Sequence, residues 1–170
     1  ASLVGSEMCI RDSDLFGSIL LKDLPINIQN PIRSLFTDDD QSLWLGTKGD
    51  GIVRIQAYDT YHNKKMIPQS AITHFTTAAG LSSNRVYCFQ KSEYHPCIWI
   101  GTEGPGLTYY SYKEKRIKTI PQREDTTPLR YVHSICEVDD STLWLATTGN
   151  GLQKVTLHID KACLLYTSPS

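Results

Sequence analysis

The 170-residue sequence predicts an all-β chain, on three observations. Tryptophan recurs in one context: Trp44-Leu-Gly-Thr-Lys-Gly-Asp-Gly-Ile, Trp99-Ile-Gly-Thr-Glu-Gly-Pro-Gly-Leu and Trp144-Leu-Ala-Thr-Thr-Gly-Asn-Gly-Leu. A second apolar segment precedes each Trp by 12, 13 and 12 residues: Ile32-Arg-Ser-Leu-Phe, Val86-Tyr-Cys-Phe-Gln and Val132-His-Ser-Ile-Cys. No stretch of about a dozen residues carries the 3.6-residue apolar period of a helix. The Trp intervals of 55 and 45 residues fall near the repeat lengths of propellers and arrays. The prediction is a partial β-propeller of about three four-stranded antiparallel blades, centred on Trp44, Trp99 and Trp144.

Each element follows from composition and punctuation. The segments beginning at Ile32, Val86 and Val132 are short, β-branched and bounded by turn formers, so they read as first strands. Asp38-Asp-Asp-Gln-Ser, His95-Pro and Asp139-Asp-Ser fit the turns into the Trp strands. Gly49 with Gly51, Gly104 with Gly106, and Gly149 with Gly151 suit tight hairpins, because glycine reaches positive φ without steric cost. Ile52-Val-Arg-Ile, Leu107-Thr-Tyr-Tyr and Leu152-Gln-Lys-Val are third strands, and Ile72-Thr-His-Phe and Arg116-Ile-Lys-Thr-Ile are outer fourth strands. The longer first interval holds a polar loop, Tyr58 to Lys65. The Trp column reads as core. In Tyr109-Tyr-Ser-Tyr112, alternate residues face opposite sides of the sheet. Cys88 aligns with Ser34 and Ser134, a small-residue position suited to close packing. Cys97 borders the strand next to Cys88, which leaves a Cys88–Cys97 bridge open in an oxidising compartment, within restrictive geometry.

The two ends are set apart. Back-translation of Cys163-Leu-Leu-Tyr-Thr-Ser-Pro-Ser gives DNA whose reverse complement encodes Ser6 to Asp12 in another frame, with two bases of the Gly5 codon before them. Both ends therefore read as one translated oligonucleotide resembling a sequencing adaptor. Residues 1–13 and 162–170 are expected to be adaptor-derived, leaving 14–161 as a propeller fragment.

Composition narrows the function. Lys plus Arg is 17 against 18 Asp plus Glu, a formal net charge of -1. That excludes the electrostatic footprint of nucleic-acid binding. No apolar run approaches the roughly 20 residues of a membrane-spanning helix.

The blades resemble the two-component regulator propeller repeat, in which Asn-x-Val leads to an Asp-containing turn and then Leu-Trp-Ile-Gly-Thr-x-x-x-Gly-Leu. Asn84-Arg-Val and Leu43-Trp-Leu-Gly-Thr carry the resemblance, which extends over residues 28–156. Two departures are local: Ala146 replaces a Gly, and the turn before Trp99 lacks Asp. The resemblance implies an extracytoplasmic, periplasmic sensor propeller of a hybrid histidine kinase. It implies further blades from the same chain, a membrane-bound dimer for the full-length protein, and a kinase outside this fragment.

No nucleophile elbow, phosphate loop or His-Glu-x-x-His occurs. The five histidines, His62, His74, His95, His133 and His158, lack metal-ligand spacing. No cofactor, metal or catalytic residue is expected. The loops leading into each first strand and the hairpins after each Trp strand share one face of a propeller. That face surrounds the axial mouth, where ligands are met. The candidate ligand-binding residues there are Asn30, Arg33, Lys48, Asp50, Asn84, Arg85, Glu103, Arg130, Tyr131 and Asn150. Arg and Tyr suit sugar hydroxyls, carboxylates, sulfates and sugar faces, so an oligosaccharide or a similar extracytoplasmic cue is the expected ligand. The competing readings are a propeller glycoside hydrolase or lyase and a structural interaction scaffold.

Overall fold

The computed structural model describes residues 20–61, 66–121, 127–160 and 163–167. The flank 1–13, His62 and positions 162 and 168–170 lie outside them. Three antiparallel sheets follow one another along the chain. The first contains β1 (Ile32–Thr37), β2 (Leu43–Thr47), β3 (Ile52–Ile55) and β4 (Ile72–Phe75), hydrogen-bonded in that order. The second contains β5 (Val86–Lys91), β6 (Cys97–Thr102), β7 (Leu107–Ser111) and β8 (Arg116–Ile120). The third contains β9 (Val132–Glu137), β10 (Thr142–Thr147) and β11 (Gly151–Asp160), with β12 (Cys163–Thr167) on its outer edge. Each sheet is an up-and-down blade, so the all-β propeller expectation stands. β12 falls in the flank read as adaptor-derived; an exposed strand edge pairs with any extended backbone.

The register makes the three blades superimposable. Trp44 lies opposite Phe36 and Arg54, Trp99 opposite Gln90 and Tyr109, and Trp144 opposite Cys136 and Lys154. All three tryptophans therefore occupy the same place on a second strand. Alternation then assigns the faces. In blade one, Trp44 and Ile52 point toward blade two, where they cluster with Val86, Ile98, Ile100 and Tyr110. In blade two, Trp99 points toward blade three and clusters with Leu143, Leu145 and Val155. Fully burying an apolar side chain of this size contributes about 1.5–3 kcal/mol, so these seams dominate the stability of the array.

The array is polar along its length. Trp44 and Trp99 are fully buried, whereas Trp144, with no following blade against it, is 36% exposed and Leu152 beside it 66%. At the other end, Leu35 is 64% exposed, while its equivalent Ile135 is buried. An open array of three blades leaves two end faces without a neighbouring blade. The blade-one face is instead partly closed by Leu24, Ile67 and Ala71 against Leu45, Val53 and Ile55, with Leu21, Ile26 and Ile28 alongside. The segment before β1 and the insertion before β4 supply this cover. That insertion includes a one-turn 3-10 helix at Tyr58–Thr60.

Small residues set the close approach between blades. Ser34 faces Gly46 across the ladder, Cys88 faces Gly101, and Ser134 faces Ala146. A Cβ on Gly46 would stand 2.1 Å from Ser34 Oγ and 2.9 Å from a methyl of Val86 in blade two. A Cβ on Gly101 would meet Cys88 Sγ and the Val132 carbonyl, each at 2.4 Å. Ala146, which departs from the repeat pattern, lies on the exposed outer face of blade three. The small-residue column is thus an interblade requirement.

The possible Cys88–Cys97 bridge is not formed: both cysteines are free thiols, as is Cys136. Cys88 lies opposite Gly101, four residues along β6 from Cys97. That is roughly 13 Å at the rise of a strand, against the roughly 7 Å limit for a disulfide.

Candidate functional site

Lead-in loops and hairpins meet at one end of all three blades. The hairpins are longer than two-residue turns: 48–51 and 103–106 are four-residue loops and 148–150 is a three-residue loop between their strands. One hydrogen bond recurs in each blade. The N–H of Lys48 donates to the Pro31 carbonyl at 3.0 Å, that of Glu103 to Arg85 at 3.0 Å, and that of Thr148 to Tyr131 at 3.2 Å. Bonds of a second kind join neighbouring blades. Gly51 N–H donates to the Asn84 carbonyl at 2.9 Å, and Gly106 N–H to Leu129 at 3.1 Å. Gly51 and Gly106 have φ of +79° and +85°, a region glycine enters without the clash a Cβ would cause. The predicted face is therefore one bonded rim.

Several candidate side chains are engaged within that rim. Asp50 Oδ2 accepts the backbone N–H groups of Gln29 at 2.9 Å and Asn30 at 2.6 Å. Partial burial works against its charge. The N–H donors of Asn30 and Gln29, with His74 beside them, outweigh burial and hold the carboxyl below its usual range. Asn150, in the same hairpin place, donates from Nδ2 to the Pro128 carbonyl at 2.8 Å. Asn84 Oδ1 accepts the Thr77 N–H at 2.9 Å. Asn30 packs on Gly49, where a Cβ would stand 2.9 Å from its Nδ2. Arg85 and Glu103 form an ion pair at 3.2 Å, with Arg85 well exposed. Lys48 and Arg130 are exposed.

The innermost strands add a feature that sequence reading missed. The register slips once near the start of each: between Ile32 and Ser34, between Val86 and Cys88, and opposite Ala146 and Thr147 between Val132 and Ser134. The extra residues are Arg33, Tyr87 and His133. A β-bulge leaves its extra residue unpaired and re-aims the side chain. Here the three re-aimed side chains touch. Arg33 Cζ lies 4.5 Å from the Tyr87 ring centroid, and the Tyr87 and His133 rings are 4.1 Å apart at 38°. His133 Nε2 is 2.6 Å from Thr148 Oγ1 of the blade-three hairpin. An Arg–Tyr–His row thus crosses all three innermost strands at the candidate mouth. Arg33 was legible in the sequence. Tyr87 and His133 occupy the same column of the repeat, and that alignment was the signal available for them.

Arg130 Cζ lies 5.5 Å from the Tyr131 ring, and Tyr131 holds φ +54°. That left-handed conformation is uncommon for a bulky non-glycine residue.

The remaining singled-out residues serve the seams. Tyr110 packs edge-on against Trp44 at 4.8 Å, and the Tyr112 hydroxyl donates to Asp38 Oδ1 at 2.7 Å. Tyr109 instead packs on Trp99 at 5.7 Å. His95 bonds the Asp140 carbonyl at 2.6 Å across the next seam, and His74 the Asp50 carbonyl at 2.5 Å. Among the described residues no group of three or more His, Cys, Asp or Glu side chains is placed to hold a metal. Among them, too, no helix is long and apolar enough to cross a membrane.

The fold and its rim define a partial β-propeller built of repeats. Residues 28–49 match the family model of the two component regulator propeller. The fold is similar to the extracellular domain of a hybrid two component system from B. thetaiotaomicron, with a TM-score of 0.60 at 17% identity. That match covers 88% of this chain and 19% of the other. A second similar structure is the extracellular domain of a one component system from the same organism. Its TM-score is 0.53 at 21% identity, covering 85% of this chain and 18% of that one. The chain thus spans less than a fifth of the length of each of these two solved chains. No curated protein matches it in sequence. The family-model match over residues 28–49 agrees with the sequence resemblance.

Proposed function

We propose that these blades are part of an extracytoplasmic sensor propeller, which recognises an oligosaccharide at the hairpin and lead-in rim and biases an attached signalling module. The observation that carries the reading is the contrast within the repeat. The strands, Trp column and rim hydrogen bonds are equivalent in all three blades, while rim side chains differ blade by blade. Lys48, Glu103 and Thr148 share one position, and Arg33, Tyr87 and His133 another. A uniform scaffold with a varied mouth suits an asymmetric ligand. The hairpin carboxylates support binding over hydrolysis: Asp50 is held by two backbone N–H groups and Glu103 by Arg85. A glycosidase needs carboxyls poised over a scissile bond. The similarity to extracellular domains of two component and one component systems supports the sensor role and the compartment. The bare outer face of blade three is read as the seat of a further blade of the same chain.

The test is a signalling reporter in the intact protein that carries these blades. Arg85→Ala with Arg130→Ala should reduce the response to its saccharide inducer at least tenfold while the melting temperature holds, since neither side chain pairs strands. An unchanged response, with inducer contacts mapped to Tyr109–Tyr112, overturns the site.

A further inference from the structure

We infer that the Arg33–Tyr87–His133 row, with Arg130 beside Tyr131, binds a saccharide through an oxyanion on it, a carboxylate or a sulfate. This rests on the saccharide-sensor reading above and names the ligand's chemistry.

The first ground is what surrounds the arginines. Among the described residues, neither Arg33 nor Arg130 has a carboxylate partner. Each guanidinium lies over a tyrosine ring instead, Arg33 over Tyr87 and Arg130 over Tyr131. Ring contact orients a guanidinium and engages none of its five N–H donors in an ion pair. A pre-oriented guanidinium with uncommitted donors is suited to a planar or tetrahedral oxyanion, because two parallel N–H groups grip two oxygens.

The second ground is the distribution of charge between the two ends of the blades. The near-zero net charge conceals a separation. At the far end, the Asp38–Asp40 run, Glu93, Glu114, Glu137, Asp139 and Asp140 outnumber the cations Arg54, Lys91, Lys113, Lys115 and Arg116, with Arg54 paired to Asp40 and Lys91 to Asp39. At the rim, Asp50 is spent on backbone donors and Glu103 on Arg85, which leaves Arg33, Lys48 and Arg130 uncompensated among the described residues. A concave mouth lined by one sign of charge concentrates the opposite sign. Three cations match one or two oxyanions on a sugar, not a long polyanion.

The third ground is cost. Three bulges interrupt the ladders at one level, and Tyr131 is held at φ +54°. Unpaired ladder positions and left-handed aromatic backbone cost stability, and such features cluster at ligand sites. The Tyr87 ring, between a cation and an imidazole, offers an edge against which a pyranose can pack.

The experiment is calorimetric titration of the intact protein with four disaccharides: uronate-containing, O-sulfated, and the neutral counterpart of each. The inference expects an anionic probe to bind at least tenfold tighter than its neutral counterpart, with affinity falling as salt rises. Arg33→Ala should remove that preference and Arg33→Lys restore part of it, both with unchanged melting temperature. Preference for the uronate identifies a carboxylate as the oxyanion; preference for the O-sulfated probe identifies a sulfate. Equal binding of charged and neutral probes, weakened by Tyr87→Ala and untouched by Arg33→Ala, overturns the oxyanion inference and leaves the saccharide reading standing. Binding of none of the four, in a protein whose reporter still answers a non-saccharide inducer, overturns both.

Discussion

The indole N–H of Trp99 donates to Glu137 Oε1 at 3.1 Å, across the seam between blades two and three. The same carboxylate accepts the Ser92 hydroxyl at 2.5 Å and, through Oε2, the Glu93 N–H at 2.7 Å. One side chain at the end of β9 thereby ties three groups of blade two. The preceding seam is built differently. Lys91 stands where Glu137 stands and reaches back to Asp39, while the Tyr112 hydroxyl bonds Asp38. Trp44 Nε1 has no hydrogen-bond partner among the described residues, and Arg54 lies 5.1 Å from its ring instead.

Glu137→Ala should therefore destabilise the chain by about 2–4 kcal/mol, because it strands three donors that a charged acceptor had satisfied. Denaturant unfolding measures this. Lys91→Ala, which breaks a solvent-screened surface ion pair, should cost much less than Glu137→Ala. Equal losses would contradict the clasp.

Asp50 gives a pH dependence with a definite sign. Its carboxyl titrates lower in the folded chain than in the unfolded one, because backbone donors and His74 outweigh burial. The unfolded chain therefore takes up the proton first as pH falls. Stability from Asp50 is present above the ordinary carboxylate value of about 4 and is lost as pH drops through the lower folded value. Asp50→Asn should flatten the stability–pH profile below about pH 4 relative to the parent. An identical slope in both proteins would remove Asp50 from the rim's bonding.

Substitutions at the glycines should sort by seam. Gly101→Ala places a methyl 2.4 Å from both Cys88 Sγ and the Val132 carbonyl, so a backbone shift is forced. It should cost about 1–3 kcal/mol, as overpacking does. Ala146→Gly, on the exposed outer face, should cost about 1 kcal/mol or less, the entropic effect of glycine in a strand. Chemical denaturation compares the two directly.

The thiols should differ in reactivity. Burial pushes Cys88 up to about 11, and burial with Glu137 nearby pushes Cys97 up to about 12. Cys136 is exposed. A thiol-labelling time course near neutral pH should modify Cys136 quickly, and Cys88 and Cys97 only upon unfolding. Recovery of a Cys88–Cys97 disulfide peptide would contradict the register of β5 and β6.

The strands were legible because each is punctuated. Apolar runs end at Asp, Ser or Gly, and the Trp offset repeats, so all three first, second and third strands fall where the repeat places them. The small-residue column at Ser34, Cys88 and Ser134 was legible as packing; its cause, the neighbouring blade, was not, since a sequence column does not state which way a side chain faces. The Arg33–Tyr87–His133 row was hidden for a related reason. A bulge shifts register without marking the sequence, and Tyr87 and His133 look like ordinary strand residues. The cover over blade one was hidden because Leu24 and Ile67 lie outside the repeat.

The most direct measurement is amide hydrogen exchange on the intact protein, with and without its saccharide inducer. The account predicts added protection at residues 30–33, 84–87 and 130–133 and in the hairpins 48–50, 103–105 and 148–150. The outer strands β4 and β8 should be unchanged. Protection confined to β4, β8 and the Tyr109–Tyr112 surface, with the rim unaltered, would contradict it.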